Sequence, residues 1–143
     1  MRVFEIVRAS GHPKIRATHA TTLEITKEVQ LTDRGNCIVA VDASKGARDL
    51  SLEFRKLVKN DSAIIKLTLK AGNLSETVTG RGDPRLTLDH PMDLVARRSA
   101  YVCSRTIMLE ADKSSSDLSR DLVGAIRDPH AEITIILEAQ LKP

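Results

Sequence analysis

The sequence of 143 residues is poor in aromatic side chains, because Phe4, Phe54 and Tyr101 are the only three. A hydrophobic core must therefore be built from aliphatic side chains, which a hydrophobic content of 41% can supply. Three rings are also too few for a platform on which several nucleic-acid bases stack in a row. The scarcity of rings excludes one common type of nucleic-acid site but leaves a globular core open.

Cysteine is equally scarce, and long apolar runs are missing. Cys37 and Cys103 cannot form the disulfide framework of a small secreted protein. No apolar run approaches the ~18 residues that a membrane span requires, and no charged N-terminal region precedes an apolar stretch. We therefore expect a cytoplasmic protein without a membrane partner. P-loop, dinucleotide-binding and nucleophile-elbow sequences are also missing.

The chain contains an internal repeat. Residues 39–71 align without a gap on residues 107–139, and nine of these 33 positions are identical. Upstream, Gly11 and His19 align with Gly82 and His90 at an offset of 71. Two units are too few for a solenoid, which needs at least ~3 repeats. We expect one domain, residues 1–143, made of two tandem repeats of about 1–71 and 72–143.

Each repeat predicts the order β-β-β-α-β. Alternating apolar residues predict strands, one of them through Ile15, Ala17 and His19, whereas residues 47–58 have helical spacing. Gly72 and Asn73 predict a two-residue hairpin turn between the repeats. The expected fold class is α+β, with about eight strands and two helices in a barrel-like domain of pseudo-twofold symmetry.

Charge is distributed unevenly along the chain. Residues 1–71 carry 13 Lys and Arg against 8 Asp and Glu, whereas residues 72–143 carry 9 against 11. A basic half fits either a solvated surface or a face that binds phosphates.

Gly-x-Pro occurs at residues 11–13 and 82–84. The histidines in and after these two segments are candidates for acid–base chemistry. Strand parity places His19 and His90 on the same side as the apolar residues that precede them. Each could be a buried structural histidine held by a hydrogen bond. Alternatively, the two could converge in one pocket, where His12 would be a third catalytic candidate.

The second repeat offers a metal site. Asp83, His90 and Asp93 supply the oxygen and imidazole ligands that suit Mg²⁺, Mn²⁺ or Zn²⁺. The spacing matches no recognised metal motif. The alternative is that the two aspartates cap the turns beside Pro84 and Pro91.

Two further segments could bind anions. Gly80 and Gly82 allow successive backbone N–H groups to form a concave nest, to which Arg81 adds a guanidinium. Farther along, three arginines surround Tyr101 and could clamp phosphates and stack a base, or simply be solvated. These are Arg97, Arg98 and Arg105.

Four segments carry a resemblance: GHPKIRATHATTLEIT, LTDRGNCIVAV, TGRGDPRLTLDHP and RRSAYVCSRT. They resemble an archaeal family of small single-domain proteins of unknown function, over nearly the whole chain. Members have sometimes been labelled endonucleases, so the resemblance implies a nucleic-acid partner and an archaeal, cytoplasmic setting. It identifies no catalytic residue.

Three functional hypotheses follow. The first is a metal-dependent nuclease in which Asp83, His90 and Asp93 hold the metal and His12 or His19 transfers protons. The second is a non-catalytic module that binds a small anionic ligand in a pocket between the repeats, through Arg81 and the neighbouring glycine backbone. The third is a structural protein that acts through its surface.

Overall fold

The computed structural model describes residues 1–32 and 35–143. The α+β class, the eight strands and the two α-helices are confirmed for these residues. In chain order the elements are β1 (Arg2–Ser10), β2 (Thr22–Thr26), β3 (Ile38–Ala40), α1 (Leu52–Leu57), β4 (Ala63–Ala71), β5 (Leu74–Arg81), β6 (Asp93–Arg97), β7 (Thr106–Met108), α2 (Arg120–Ile126) and β8 (Glu132–Leu141).

The strands form two four-stranded sheets. The larger sheet is antiparallel, in the order β1-β8-β4-β5. In the smaller sheet, β3-β2-β6-β7, the central pair is antiparallel and the short outer strands run parallel to their neighbours. The inner faces of both sheets enclose a single aliphatic core with the helices.

The expected barrel closure is wrong for the described residues. Only one isolated bridge joins the sheets at each edge, Ser10 with Val41 and Arg81 with Leu109. Beside these bridges, Asp42 and Glu110 adopt φ angles of 52°, which turn the chain out of the strand direction. The edges therefore meet at points and not along continuous ladders.

The strand predicted through residues 15–19 is also wrong. A turn at residues 13–14 precedes this segment, which is irregular chain, and Ala17 has a φ of 51°, in the left-handed region. Leu88 in the second half has a φ of 47°. The parity argument for the two histidines fails there, because side chains alternate between faces only in an extended strand.

The predicted helical face is confirmed, although the helix is shorter than its pattern. Residues 47–49 form a 3₁₀ turn, and α1 begins after the N-cap Ser51, whose side chain accepts a hydrogen bond from the Phe54 N–H group. All five apolar positions of the pattern are buried. They are Ala47, Leu50, Phe54, Leu57 and Val58. Across residues 1–32 and 35–143, no helix is long and apolar enough to cross a membrane.

The two Gly-x-Pro corners each hold the helix of the other half. The N–H group of His12 donates to the Ile126 carbonyl, and that of Asp83 donates to the Val58 carbonyl. A Cβ atom on Gly11 or Gly82 would collide with the carbonyls at these helix ends. These glycines are required by close backbone approach.

Candidate functional site

Polar side chains occupy the outer face of the central strands β2 and β6. Their alternate residues, such as Leu23 and Leu94, point into the core. On the outer face, register places Thr22 opposite Arg97 and Thr26 opposite Asp93. We define the polar site by these residues and the neighbours that contact them: Thr22, Glu24, Thr26, Cys37, Asp93, Arg97, Cys103, Arg105 and Thr106.

Arg105 joins two carboxylates at the centre of the polar site. Its Nη1 atom donates to Glu24 Oε1 at 3.0 Å and to Asp93 Oδ2 at 3.2 Å. The other oxygen of Asp93 accepts a hydrogen bond from Thr26 Oγ1 at 2.6 Å. The Glu24 side chain is only 10% exposed, so it is largely shielded from water. The positive charge of one guanidinium thus faces the negative charges of two carboxylates.

Glu24 therefore binds its proton tightly. Burial, and then repulsion from Asp93, raise the pKa of Glu24 to about 7, although Arg105 opposes the shift. Cys37 Sγ lies 3.8 Å from Glu24 Oε1. Burial and the Glu24 carboxylate raise the pKa of the Cys37 thiol to about 11. Cys37 is consequently a neutral thiol at physiological pH.

Cys103 has the opposite environment. Its Sγ atom lies 3.3 Å from Arg97 Nη2 and 3.4 Å from Thr106 Oγ1. The Thr106 oxygen already accepts hydrogen bonds from the Cys103 and Arg97 nitrogens, so its own proton is directed to the sulfur. Burial opposes ionisation, but the bonds from Thr106, Arg97 and Arg105 lower the pKa of the Cys103 thiol to about 6.

The pKa values of the two acids move towards each other within the polar site. The pKa of the Cys103 thiol is lowered and that of the Glu24 carboxyl is raised, and Arg105 interacts with both groups. The site therefore favours the thiolate of Cys103 and the protonated form of Glu24. The arrangement supplies a nucleophile and a proton donor together.

The rim of the polar site is aromatic. The Arg97 guanidinium carbon lies 4.8 Å from the centre of the Tyr101 ring, a cation–π arrangement. Tyr101 is 62% exposed, so the ring covers the arginine and faces solvent.

The structure gives each predicted histidine a local bonding role. His19 Nδ1 accepts hydrogen bonds from the N–H groups of Thr21 and Thr22, and His90 Nδ1 accepts them from Met92 and Asp93. His12 Nδ1 accepts one from the N–H group of Lys14. Two of these imidazoles therefore fix the turns that lead into β2 and β6. The catalytic role stays a prediction.

The predicted metal ligands are brought together only in part. His90 Nδ1 lies 4.0 Å from Asp93 Oδ2, but Asp83 is held by ion pairs with Arg81 and Arg85. The hydrogen bonds from Arg85 hold the pKa of Asp83 well below its usual range. Across residues 1–32 and 35–143, no three His, Cys, Asp or Glu side chains are placed to hold a metal ion.

The predicted anion nest around Gly80 and Gly82 is occupied by the chain itself. The N–H groups of Arg81 and Gly82 donate to the carbonyls of Leu109 and Ala63. A Cβ atom on Gly80 would press on Leu109, so this glycine serves packing. The Arg81 guanidinium is bound by the carboxylates of Asp83 and Glu110. No free donor array faces an external anion there.

Of the three arginines around Tyr101, the structure brings two into the polar site. Arg97 and Arg105 lie there, whereas Arg98 pairs with Asp117 at 3.3 Å. Sequence reasoning missed Glu24 and both cysteines as site residues. The available signal was an acidic residue between apolar neighbours in a short strand, which indicates a carboxyl that is shielded from water.

A cavity of about 640 Å³ lies elsewhere, between the β4–β5 hairpin and the end of α2. Small residues such as Gly72, Gly124 and Ala125 form much of its lining, and none of its lining residues belongs to the polar site. We place the candidate site at the titratable cluster, because function requires reactive groups and not volume alone.

Comparison with known proteins agrees with the resemblance seen in the sequence. The chain is 42% identical over 123 residues to "Uncharacterized protein MJ0206" from the archaeon Methanocaldococcus jannaschii, a match that covers 86% of this chain and 90% of that protein. The family described as "Domain of unknown function (DUF371)" matches residues 7–140. This chain therefore belongs to the DUF371 family.

Proposed function

We propose that the polar site catalyses thiol-dependent acyl transfer, with Cys103 as the nucleophile and Glu24 as the proton donor. The observation that supports this most directly is the position of Cys103 Sγ, which receives hydrogen bonds from Arg97 and Thr106. Such donors stabilise a thiolate, the reactive form of cysteine. Glu24 shares Arg105 with this sulfur, so one guanidinium links the carboxyl to the nucleophile.

The proposed reaction has two balanced steps. In the first, the thiolate adds to the carbonyl carbon of an ester or thioester. The leaving group departs with its bonding electron pair and takes the proton of Glu24, which leaves an S-acyl Cys103 and a Glu24 carboxylate. In the second, water adds to the acyl group, Glu24 takes a proton from that water, and the thiolate departs with the C–S electron pair. A carboxylic acid is released and both groups regain their starting states.

The two cysteines provide a matched test of the nucleophile. A Cys37→Ser variant retains only Cys103, and its alkylation by iodoacetamide should be half-maximal near pH 6. A Cys103→Ser variant retains only Cys37, whose alkylation should be half-maximal near pH 11. At pH 7 the first variant should react about 30- to 100-fold faster, after allowance for the weaker intrinsic nucleophilicity of the more acidic thiol. Equal rates for the two variants would refute the assignment.

Acyl transfer itself requires a second measurement. With p-nitrophenyl acetate, the Cys37→Ser variant should release a burst of p-nitrophenolate equal to its own concentration and carry an acetyl group detectable by intact mass. The Cys103→Ser variant should show neither signal. Rapid alkylation of Cys103 without any burst would show that Cys103 is a reactive thiol that does not accept an acyl group from this ester.

The metal-dependent nuclease and the small-anion module stay predictions. The nuclease hypothesis lacks a group of three metal ligands in the described part of the chain, and the anion hypothesis lacks free backbone donors at Gly82. The acyl-transfer proposal uses groups that the fold already brings together.

We propose further that the halves of the chain arose by duplication. Ser51 and Ser119 cap the helices in the same way, and the pairing of β2 with β6 is symmetric, with Thr22 opposite Arg97 and Thr26 opposite Asp93. Superposition of residues 37–71 on 105–139 in an experimental structure tests this. Different connections between the matched elements would contradict it.

A further inference from the structure

The outer face of the larger sheet carries cations that have no partner. Side chains alternate along each strand, so Arg8 of β1 and Lys66 and Lys70 of β4 share this face with the exposed residues between them. Among the described residues these three cations make no ion pair. By contrast, Arg97, Arg98 and Arg105 are engaged with polar or acidic groups of the chain. These three cations therefore lie away from the polar site.

Beside these cations is an apolar stripe. Phe4 and Ile6 of β1 are 53% and 50% exposed. A single exposed apolar side chain is common on protein surfaces, but two neighbouring ones are less common. Register places Ile6 next to the half-buried Ile136 of β8. Phe4, Ile6 and Ile136 thus form a continuous apolar surface on the open sheet.

The other half of the face is cationic and rich in hydroxyl groups. Thr68 lies between Lys66 and Lys70 on β4, and its Oγ1 atom is 3.0 Å from that of Thr77 on β5. The apolar stripe on β1 and the cationic stripe on β4 are two strands apart, about 10 Å. Two acidic groups share the face. Glu138 lies in register with Phe4 and Lys66 and forms an ion pair with Arg2, and Glu132 lies at the far end of β8.

We propose that this face binds a single-stranded nucleic acid along the strands, with bases on the apolar stripe and phosphates on the cationic stripe. A single strand exposes flat apolar bases on one side and charged phosphates on the other, which matches two parallel stripes. An acyl-lipid surface fits less well, since it would dehydrate the threonine hydroxyls. One ring and two isoleucines provide contact with bases without sequence readout.

The test is a titration by fluorescence anisotropy with labelled oligo(U) and oligo(dT), at salt concentrations from about 50 to about 200 mM. Wild-type protein should bind, and log K should fall linearly with log[salt]. The double variant Lys66→Gln/Lys70→Gln on the cationic stripe should lose about 1.4 units of that slope, at about 0.7 per phosphate on single strands. Phe4→Ala should weaken binding about tenfold and leave the slope unchanged. Circular dichroism verifies folding of each variant.

The matched control removes the same charge elsewhere, with Lys56→Gln/Lys59→Gln in helix α1 and the turn that follows it. This variant should retain the wild-type slope. An equal loss in the control would show diffuse attraction and overturn the proposal, as would failure of the wild type to bind either oligonucleotide. Polyglutamate that competes as well as unlabelled oligo(U) would assign the face to an acidic polypeptide instead. A similar response to both oligonucleotides indicates recognition of the backbone, and preference for oligo(U) indicates the ribose hydroxyl.

Discussion

The two halves of the molecule share backbone interactions but differ in the chemistry of the side chains placed by them. In the first half, the Cys37 carbonyl accepts a hydrogen bond from the Glu24 N–H group at 2.9 Å. In the second, the Arg105 carbonyl accepts one from the Val95 N–H group at 2.8 Å. A thiol and a guanidinium thus occupy matching backbone positions. Matching backbone contacts thus place different side chains in the polar site.

The two cysteines show what decides acidity in that site. Cys37 lies beside the Glu24 carboxyl, and its pKa is raised to about 11. Cys103 lies beside Arg97 and Thr106, and its pKa is lowered to about 6. Burial opposes ionisation in both cases, so the hydrogen-bond donors around the sulfur make the difference.

The largest expected effect tests whether helices α1 and α2 contribute similarly to stability. Phe54 of α1 and Leu122 of α2 are both fully buried, and each donates its N–H group to the side chain of the serine cap three residues earlier. Phe54→Ala should lower the free energy of unfolding by about 3 to 5 kcal/mol, and Leu122→Ala by about 2 to 5 kcal/mol, because each leaves a cavity. Urea denaturation measures both. An unchanged midpoint for either variant would break the equivalence of the two helices.

A smaller effect tests the asymmetry of the site through pH. The folded-state pKa of Glu24 is raised from 4.5 to about 7. The stability that protonated Glu24 contributes is therefore complete below pH 4.5 and lost as the pH rises through about 7. Glu24→Gln cannot ionise, so its free energy of unfolding does not fall in this way. Relative to that of the wild type, it should rise by about 3 kcal/mol between pH 4.5 and about 7. Urea denaturation at several pH values measures the difference.

Cys103→Ser provides a control in which stability depends on pH in the opposite direction. The pKa of Cys103 is lowered from 9.0 to about 6, so the stability contributed by its thiolate is present above pH 9 and lost as the pH falls through about 6. The wild-type advantage over this variant should shrink as the pH falls. Because the thiol is partly exposed, solvent reduces this effect. Parallel pH profiles for Glu24→Gln and the wild type would contradict the proposed environment of Glu24.

The smallest expected effect concerns a difference between the helices. Gly124 of α2 lies where α1 has Lys56, and a Cβ atom on Gly124 would meet nothing within 4 Å. Gly124→Ala should therefore raise the free energy of unfolding by about 0.5 to 1 kcal/mol, since glycine is a poor helix former. Gly82→Ala is the opposite case, with an expected loss of about 1 to 3 kcal/mol from collision with Val58 and Asn60 carbonyls. Thermal denaturation of both variants measures the contrast, and a loss for Gly124→Ala would show a contact at this position.

Part of the candidate site was accessible from the sequence. Arg97 and Arg105 are candidates because they flank Tyr101, and Asp93 is one because its carboxylate suits a metal. The structure places all three in the polar site. Their predicted roles as metal ligand and phosphate clamp relied on their being free to bind a ligand. In the fold, Arg105 and Asp93 bind each other, so their charges are largely internal.

Local patterns determined the elements of this protein. Helical spacing predicted the buried face that contains Phe54, and the Gly72-Asn73 pair predicted the turn between β4 and β5, where Gly72 adopts a φ of 62°. These features depend on the period of apolar residues and on the conformational freedom of glycine, both of which are legible within a few residues.

Only the tertiary structure decided the chemistry. Pairing of β2 with β6 brings Glu24 within 3.0 Å of Arg105, across 81 positions of sequence. It also decided that the sheets remain open and that Arg8, Lys66 and Lys70 share the outer face of the larger one. A pKa depends on burial and on charges in space, and neither can be read from neighbours along the chain. The sequence by itself therefore determined which elements form, whereas long-range packing determined which side chains react.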